Sequence, residues 1–216
     1  MRLCSVEGCG RTQYCKGYCR RHYQQYKIHG KILERTRIDP NEFIIDGDIC
    51  WIILYNKHCI EIARTCIDTK YYEAIFESKA KWHLTDSGYV IAHFDDEIQR
   101  QKFRLHHIIM YLSRQEQIPA EYDVDHKDGN PLNNLENNLR LCTQSQNNQN
   151  QRKRKDNTSG GKGVTWDKTH KKWAVKVTAN YKCLFQQYFD DKEEAIRAYN
   201  AAAIQHFGEF AQLNDI

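Results

Sequence analysis

The chain has 216 residues and a mass of 25.6 kDa, room for two or three compact units, and its 40% hydrophobic and 28% charged residues are a folding composition. A mean hydropathy of −0.80, no apolar run near the roughly 18 residues of a membrane span, and polar sequence directly after Met1 argue against a membrane span or a secretory leader, so a cytoplasmic, intracellular protein is expected. The net charge of +4 combines basic ends (9 Lys/Arg against 2 Asp/Glu over 1–38, 12 against 8 over 152–216) with an acidic middle (8 against 12 over 39–104, 3 against 6 over 105–151), which suggests two contacts with a polyanion around a centre able to bind a cation.

Nine cysteines, an odd number in a reducing compartment, argue against a disulfide framework. Cys4, Cys9, Cys19 and His22 have the spacing C-x4-C-x9-C-x2-H. Zinc takes four tetrahedral N/S ligands, and short-spaced pairs supply two from one turn each. Gly8, Gly10 and Gly17 permit the tight turns. A basic segment of this size has too little apolar material to fold alone, so bound Zn²⁺ is expected to supply its folding energy. Cys15 is a fifth candidate, able to replace one of the four. Arg20, Arg21, Tyr23, Gln24, Gln25 and Lys27 follow at helical spacing and can touch phosphates, although a plain surface helix reads the same way. Cys50, Cys59, Cys66, Cys142 and Cys183 read as small buried hydrophobes.

After the Asp39-Pro40-Asn41 break, residues 41–104 read as short strands: 42–45, 51–55 and 89–92, with turns at Asp46-Gly47 and Ser87-Gly88. No chemical role is legible there.

The next stretch is Asn-rich. Asp123-Val124-Asp125 alternates as a strand, Asp128-Gly129 is a turn, and Leu139-Arg140-Leu141-Cys142 is a second strand. Thr143-Gln144-Ser145-Gln146 fits a capping box opening a helix that carries Asn147. The expected unit is strand, loop, strand, helix. Phosphodiester hydrolysis needs a base for water and a cation for the phosphate. His126 can be the base, Asp125 beside it a hard oxygen ligand for Mg²⁺, and Asn147 a second oxygen ligand. Adjacent strand residues point to opposite faces, so a bend must bring Asp125 and His126 to one site. Asn138 can hold the His126 ring directly or through the loop backbone.

Asp125-His126, with Asn138 twelve residues after the histidine and Asn147 nine later, resembles the HNH nuclease motif in its His–Asn–Asn form, as in phage-type HNH homing endonucleases. The resemblance implies a ββα-metal finger with His126 as general base, Asp125 and Asn147 as ligands of one divalent metal (Mg²⁺ or Mn²⁺), and Asn138 orienting the base. The preceding Leu105-His106-His107-Ile108-Ile109-Met110 resembles the strand or helix before the motif in relatives.

A polar stretch at Asn157-Thr158-Ser159-Gly160-Gly161, behind the basic run 152–155, reads as a linker. Three strands follow, at 161–167, 172–177 and 182–189. In the second, Trp173, Val175 and Val177 share one face; Lys172, Ala174, Lys176 and Thr178 share the other. Asp191 and Glu194 frame a capping box for a helix to about Phe207, whose small face is Ala195, Ala198, Tyr199, Ala202, Ala203 and His206. Lys-Gly-Val, Lys-Trp-Ala-Val-Lys-Val and Ala-Tyr-Asn-Ala-Ala-Ala make this segment similar to the three-stranded DNA-binding domain of plant ethylene-response factors (APETALA-type). That resemblance implies base-reading positions on the exposed strand face at Thr165, Asp167, Lys176 and Thr178, with Trp166, Lys168 and Lys172 nearby, and Lys162 is also expected to bind DNA. A ribbon of this kind fits the DNA major groove.

The expected architecture is α+β: a zinc-binding basic module (1–38), a β-rich segment (39–104), an HNH core (105–152) and a three-stranded antiparallel sheet plus helix (157–216). The expected function is metal-dependent cleavage of double-stranded DNA by a monomer or weak dimer, one core cutting one strand per visit. A DNA-binding regulator with an inactive nuclease core is the alternative.

Overall fold

The computed structural model describes residues 2–216 apart from 34, 36–38, 96–99, 154 and 155, so part of the basic run at 152–155 lies outside the described residues. Its described residues form a mixed α+β arrangement of small sheets and five α-helices. The contacts divide it into two units: residues 1–113 with 131–136, and residues 114–130 with 137–216.

The first unit opens with a glycine-rich knuckle, held by antiparallel bridges between Leu3 and Thr12 and between Cys15 and Tyr18. Helix α1 (Arg20–His29) follows and ends on Gly30, whose φ of 68° is the left-handed cap glycine adopts without strain. β1 (Phe43–Asp46), β2 (Ile49–Tyr55) and β3 (Glu61–Asp68) form an antiparallel sheet in that order. The two-residue turn Gly47-Asp48 joins the first pair, as the Asp-Gly signal suggested. β3 was not foreseen, because Glu61 to Thr65 lack a clean alternation; only Thr65, Cys66 and Ile67 are buried.

Helix α2 (Tyr72–Glu77) leads to β4 (His83–Leu84), β5 (Val90–Asp95) and β6 (Arg100–Arg104), a second antiparallel sheet, and α3 (Leu105–Arg114) starts where it ends. The 105–110 segment is thus a helix, burying Leu105, His106, Ile109 and Met110 at helical spacing. Ile52, Leu54, Ile67, Trp82 and Val90 are fully buried in this unit. Asn41 braces it: its amide donates to the carbonyls of Ile53 (2.8 Å) and Trp82 (3.1 Å) and accepts from the Trp82 N–H (2.8 Å).

Loop 131–136 belongs to this unit because β3 clasps it. Asn133 makes a parallel bridge with Cys66, and the Thr65 hydroxyl donates to the Leu132 carbonyl at 2.8 Å. The Glu136 carboxylate accepts from the Tyr71 (2.7 Å) and Ser113 (2.6 Å) hydroxyls and pairs with Lys70. These partners, Lys70 foremost, hold its carboxyl down at about 2.

In the second unit β7 (Asp123–His126) pairs antiparallel with β8 (Leu139–Cys142), and α4 (Gln144–Asn150) follows. The capping box is in place: Thr143 Oγ1 accepts from the Gln146 N–H, and the Gln146 side chain accepts from the Thr143 N–H at 2.8 Å. β9 (Val164–Asp167), β10 (Lys172–Ala179) and β11 (Lys182–Phe189) form an antiparallel sheet in the order β11-β10-β9, packed against α5 (Lys192–Phe207). Val164, Val175 and Val177 meet Ala195, Ile196, Tyr199, Ala202 and Ala203. Ile196 and Phe207 occupy places the sequence pattern assigned to Ala198 and His206; the buried face lies slightly round the helix, and His206 is exposed. Asp191 caps α5 by accepting from the Glu194 N–H at 2.9 Å.

Candidate active site

Asp125 and His126 end β7, and both are buried, at 7% and 4% exposure. The strand stops there: the His126 carbonyl accepts from the Gly129 N–H at 2.8 Å, closing the turn for which Gly129 takes a φ of 65°. The turn starts only beyond His126: Asp125 and His126 stay in regular register with Arg140 and Leu139, so the bend that the alternation demanded between the two is not in the strand itself. Asn138 acts on the loop backbone at the other end of this turn. Its side-chain oxygen accepts from the Asp128 N–H (3.1 Å), its amide donates to the Asp128 carboxylate (3.0 Å), and its carbonyl accepts from the Lys127 N–H (2.8 Å).

The register places Arg140 directly opposite Asp125. Arg140 Nε and Nη2 donate to Asp125 Oδ2 at 3.1 and 2.9 Å, a forked, charge-assisted pair with both side chains nine-tenths buried. From α4, the Asn150 amide donates to Oδ2 (2.9 Å), to Oδ1 (3.1 Å) and to the His126 carbonyl (2.8 Å). Asn147, half-buried, sits three residues before Asn150 and so on the same helical face. Sequence reasoning missed Arg140 and Asn150. Hairpin register would have found the first, and the i, i+3 spacing from Asn147 the second.

A divalent cation fits this donor set. Three donors saturate Asp125 Oδ2, whereas Oδ1 takes one at 3.1 Å and keeps lone-pair capacity, and Asn147 offers a neutral amide oxygen.

Cys4, Cys9, Cys19 and His22 converge: their ligand atoms lie within 4.8 Å of one another, the one such His/Cys/Asp/Glu cluster among the described residues. Cys4 Sγ is 3.2 Å from His22 Nδ1 and Cys9 Sγ is 3.8 Å from Cys19 Sγ. Cys15 is not in the cluster. Burial, with Arg21 and Arg11 nearby, lowers the His22 pKa and favours the neutral imidazole that ligates metal. Burial and the neighbouring thiols Cys19 and Cys4 push Cys9 up. Burial opposes ionisation of Cys4, but hydrogen bonds from the Cys19 and Val6 backbone and from the Cys9 thiol bring it below its ordinary value. Thiols crowded this closely are the expected state of a metal site. Of the remaining cysteines four are buried, and Cys183, near the start of β11, is exposed against expectation.

On the C-terminal sheet Lys168, Lys176 and Thr178 are exposed. Trp166 is 46% exposed and packs edge-on against Trp173 at 5.2 Å. Lys172 lies on the same sheet and pairs with Asp190 at 3.0 Å. Lys162 is placed otherwise. Its Nζ donates to the Gln149 (2.5 Å) and Gln151 (2.6 Å) carbonyls, capping the end of α4, and burial lowers its pKa to about 8.

Residues 103–149 match the HNH endonuclease family. The chain is also 36% identical over 188 residues to an HNH endonuclease of Acanthamoeba polyphaga mimivirus, covering 86% of this chain and 92% of that protein. The chain belongs to the HNH endonuclease family. Protein 3.8 of Escherichia phage T7 is 43% identical over 76 residues, 35% of this chain and 63% of that protein. No solved structure matches. The family is one of nucleases and acts on DNA; no described helix is long and apolar enough to cross a membrane.

Proposed function

We propose that the protein is a divalent-metal-dependent endonuclease that hydrolyses phosphodiester bonds of double-stranded DNA, one strand per visit. What supports this reading is the ββα unit itself: Asp125 and His126 end β7, and α4 carries Asn147 one turn before Asn150, whose amide bonds Asp125. His126 takes the proton from the attacking water. Asp125 and Asn147 would hold the metal, which supplies charge stabilisation at the phosphate when bound. Asn138 stiffens the turn that aims His126. Cys4, Cys9, Cys19 and His22 hold a structural Zn²⁺. The C-terminal sheet, similar to the ethylene-response-factor domain, places the duplex through Lys168, Lys172, Lys176 and Thr178, with Lys162 supporting α4; Trp166, paired with Trp173 on the α5-facing side, is not on that face.

The test is cleavage of supercoiled plasmid with Mg²⁺ or EDTA. His126→Ala is expected to lower the rate at least about 100-fold while leaving salt-sensitive DNA binding unchanged. Open circle as the sole product indicates nicking, and linear product indicates two coordinated cuts. Metal-independent cleavage, or equal loss of binding in His126→Ala, refutes the assignment.

A further inference from the structure

The Arg140 guanidinium is used on three sides. Nε and Nη2 grip Asp125 Oδ2, Nη1 donates to the Glu209 carbonyl at 2.6 Å, and its face lies 3.8 Å from the centre of the Phe210 ring. Glu209 and Phe210 form the 3₁₀ turn Gly208–Phe210 directly after α5, and Phe210 is itself buried. The end of the DNA-binding segment is thus plugged into the strand pair that carries the candidate metal ligand.

We propose that Arg140 is a positioning residue through which the Gly208–Phe210 hook orients the Asp125 carboxylate and weakens its hold on a cation. The inference rests on the nuclease reading above, in which Asp125 is a metal ligand. With Oδ2 saturated by Arg140 and Asn150, Oδ1 is the oxygen left for a cation. A guanidinium 2.9 Å from the same carboxylate also opposes an incoming divalent charge. A metal held weakly by the protein relies on the substrate phosphate to complete its shell. A buried ion pair is poor evidence of added stability, so its role here is orientation and charge. Phe210 and the Glu209 carbonyl keep the guanidinium in place, which ties the C-terminal segment to the geometry of the reacting centre.

The test measures Mn²⁺ binding without DNA, by calorimetry on full-length protein carrying Zn²⁺ at its knuckle, beside kcat on a DNA substrate. Arg140→Gln is expected to lower kcat by about ten-fold, the lower bound for partners behind a metal ligand, and to tighten Mn²⁺ binding because the opposing charge is gone. Affinity and rate moving in opposite directions is a result that simple unfolding does not give. Arg140→Lys keeps the charge but loses the fork: Mn²⁺ affinity stays near wild type while kcat falls. Phe210→Ala lowers kcat, and its effect is not additive with Arg140→Gln. Unchanged or weaker Mn²⁺ binding in Arg140→Gln overturns the inference and leaves the nuclease reading standing. Asp125→Ala separates the two cases, since wild-type Mn²⁺ affinity in that variant would sink the metal assignment itself.

Discussion

The knuckle at the start of the chain and the sheet-and-helix layer at its end are both small, both basic, and held together by different physics. In the C-terminal layer, Val164, Val175 and Val177 pack on Ala195, Tyr199, Ala202 and Ala203, and the side-chain oxygen of Asp191 starts the helix. In the knuckle the described buried groups are Cys4, Cys19, His22 and Gln25, and α1 starts on Cys19 with no side-chain cap. The residue that should cap the helix is a ligand candidate instead. Apolar burial scales with segment size, and this short segment has in place of an apolar core a Cys/His cluster able to hold a metal.

The largest expected effect follows from that contrast. Stripping metal from the knuckle removes a folding contribution on the order of 10 kcal/mol, the scale of structural zinc in small fingers. Chelation is expected to melt residues 2–30 while the near-ultraviolet signal of Trp166 and Trp173 persists. Cys19→Ser sharpens the comparison. Serine is a better N-cap than cysteine but a poor zinc ligand, so the variant improves the cap and loses the metal. Retained amide dispersion for residues 2–30 in Cys19→Ser, read by NMR, would show that capping and not metal organises the knuckle.

The second effect lies in the C-terminal layer. Gly163 has a φ of 68°, and a Cβ there would sit 2.2 Å from Tyr199 Cε2 and 2.9 Å from the Lys176 carbonyl oxygen. Neither the ring, 3% exposed in the core, nor the strand backbone can yield. Gly163→Ala is expected to cost about 3 kcal/mol or more, combining left-handed backbone strain with overpacking. Urea unfolding followed by tryptophan fluorescence measures it, and a cost under about 1 kcal/mol would mean that the β10–α5 contact is loose.

How legible each region was in the sequence follows the same division. β10 and the start and end of α5 were readable because alternation, a cap and a terminal glycine all agree locally. The Thr143–Gln146 box was readable for the same reason. β3 was not, because its burial depends on pairing with β2 and on clasping loop 131–136, both distant in sequence. At the candidate site Asp125, His126, Asn138 and Asn147 stood out by spacing, whereas the Arg140 and Asn150 grip on Asp125 did not. Their chemistry is set by cross-strand register and by which helical face turns inward. Lys162 shows the opposite failure: a lysine in a basic stretch looks like a phosphate contact until its ammonium is found on the carbonyls of α4.

The smallest effect isolates the cap from the core. Asp191 Oδ1 accepts from the Glu194 N–H at 2.9 Å at the exposed first turn of a 16-residue helix whose inner face is already buried. Removing the cap leaves that N–H to water and leaves the packing untouched. Asp191→Ala is therefore expected to lower stability by about 1 kcal/mol, and Asp191→Ser to recover most of it, because the hydroxyl accepts the same bond. Thermal unfolding of the two variants measures the difference. A loss of about 3 kcal/mol or more in Asp191→Ala would exceed the range of a lost cap. It would mean that the C-terminal layer, like the knuckle, depends on one polar side chain at a helix start, and the contrast between a core-built and a metal-built module would then fail.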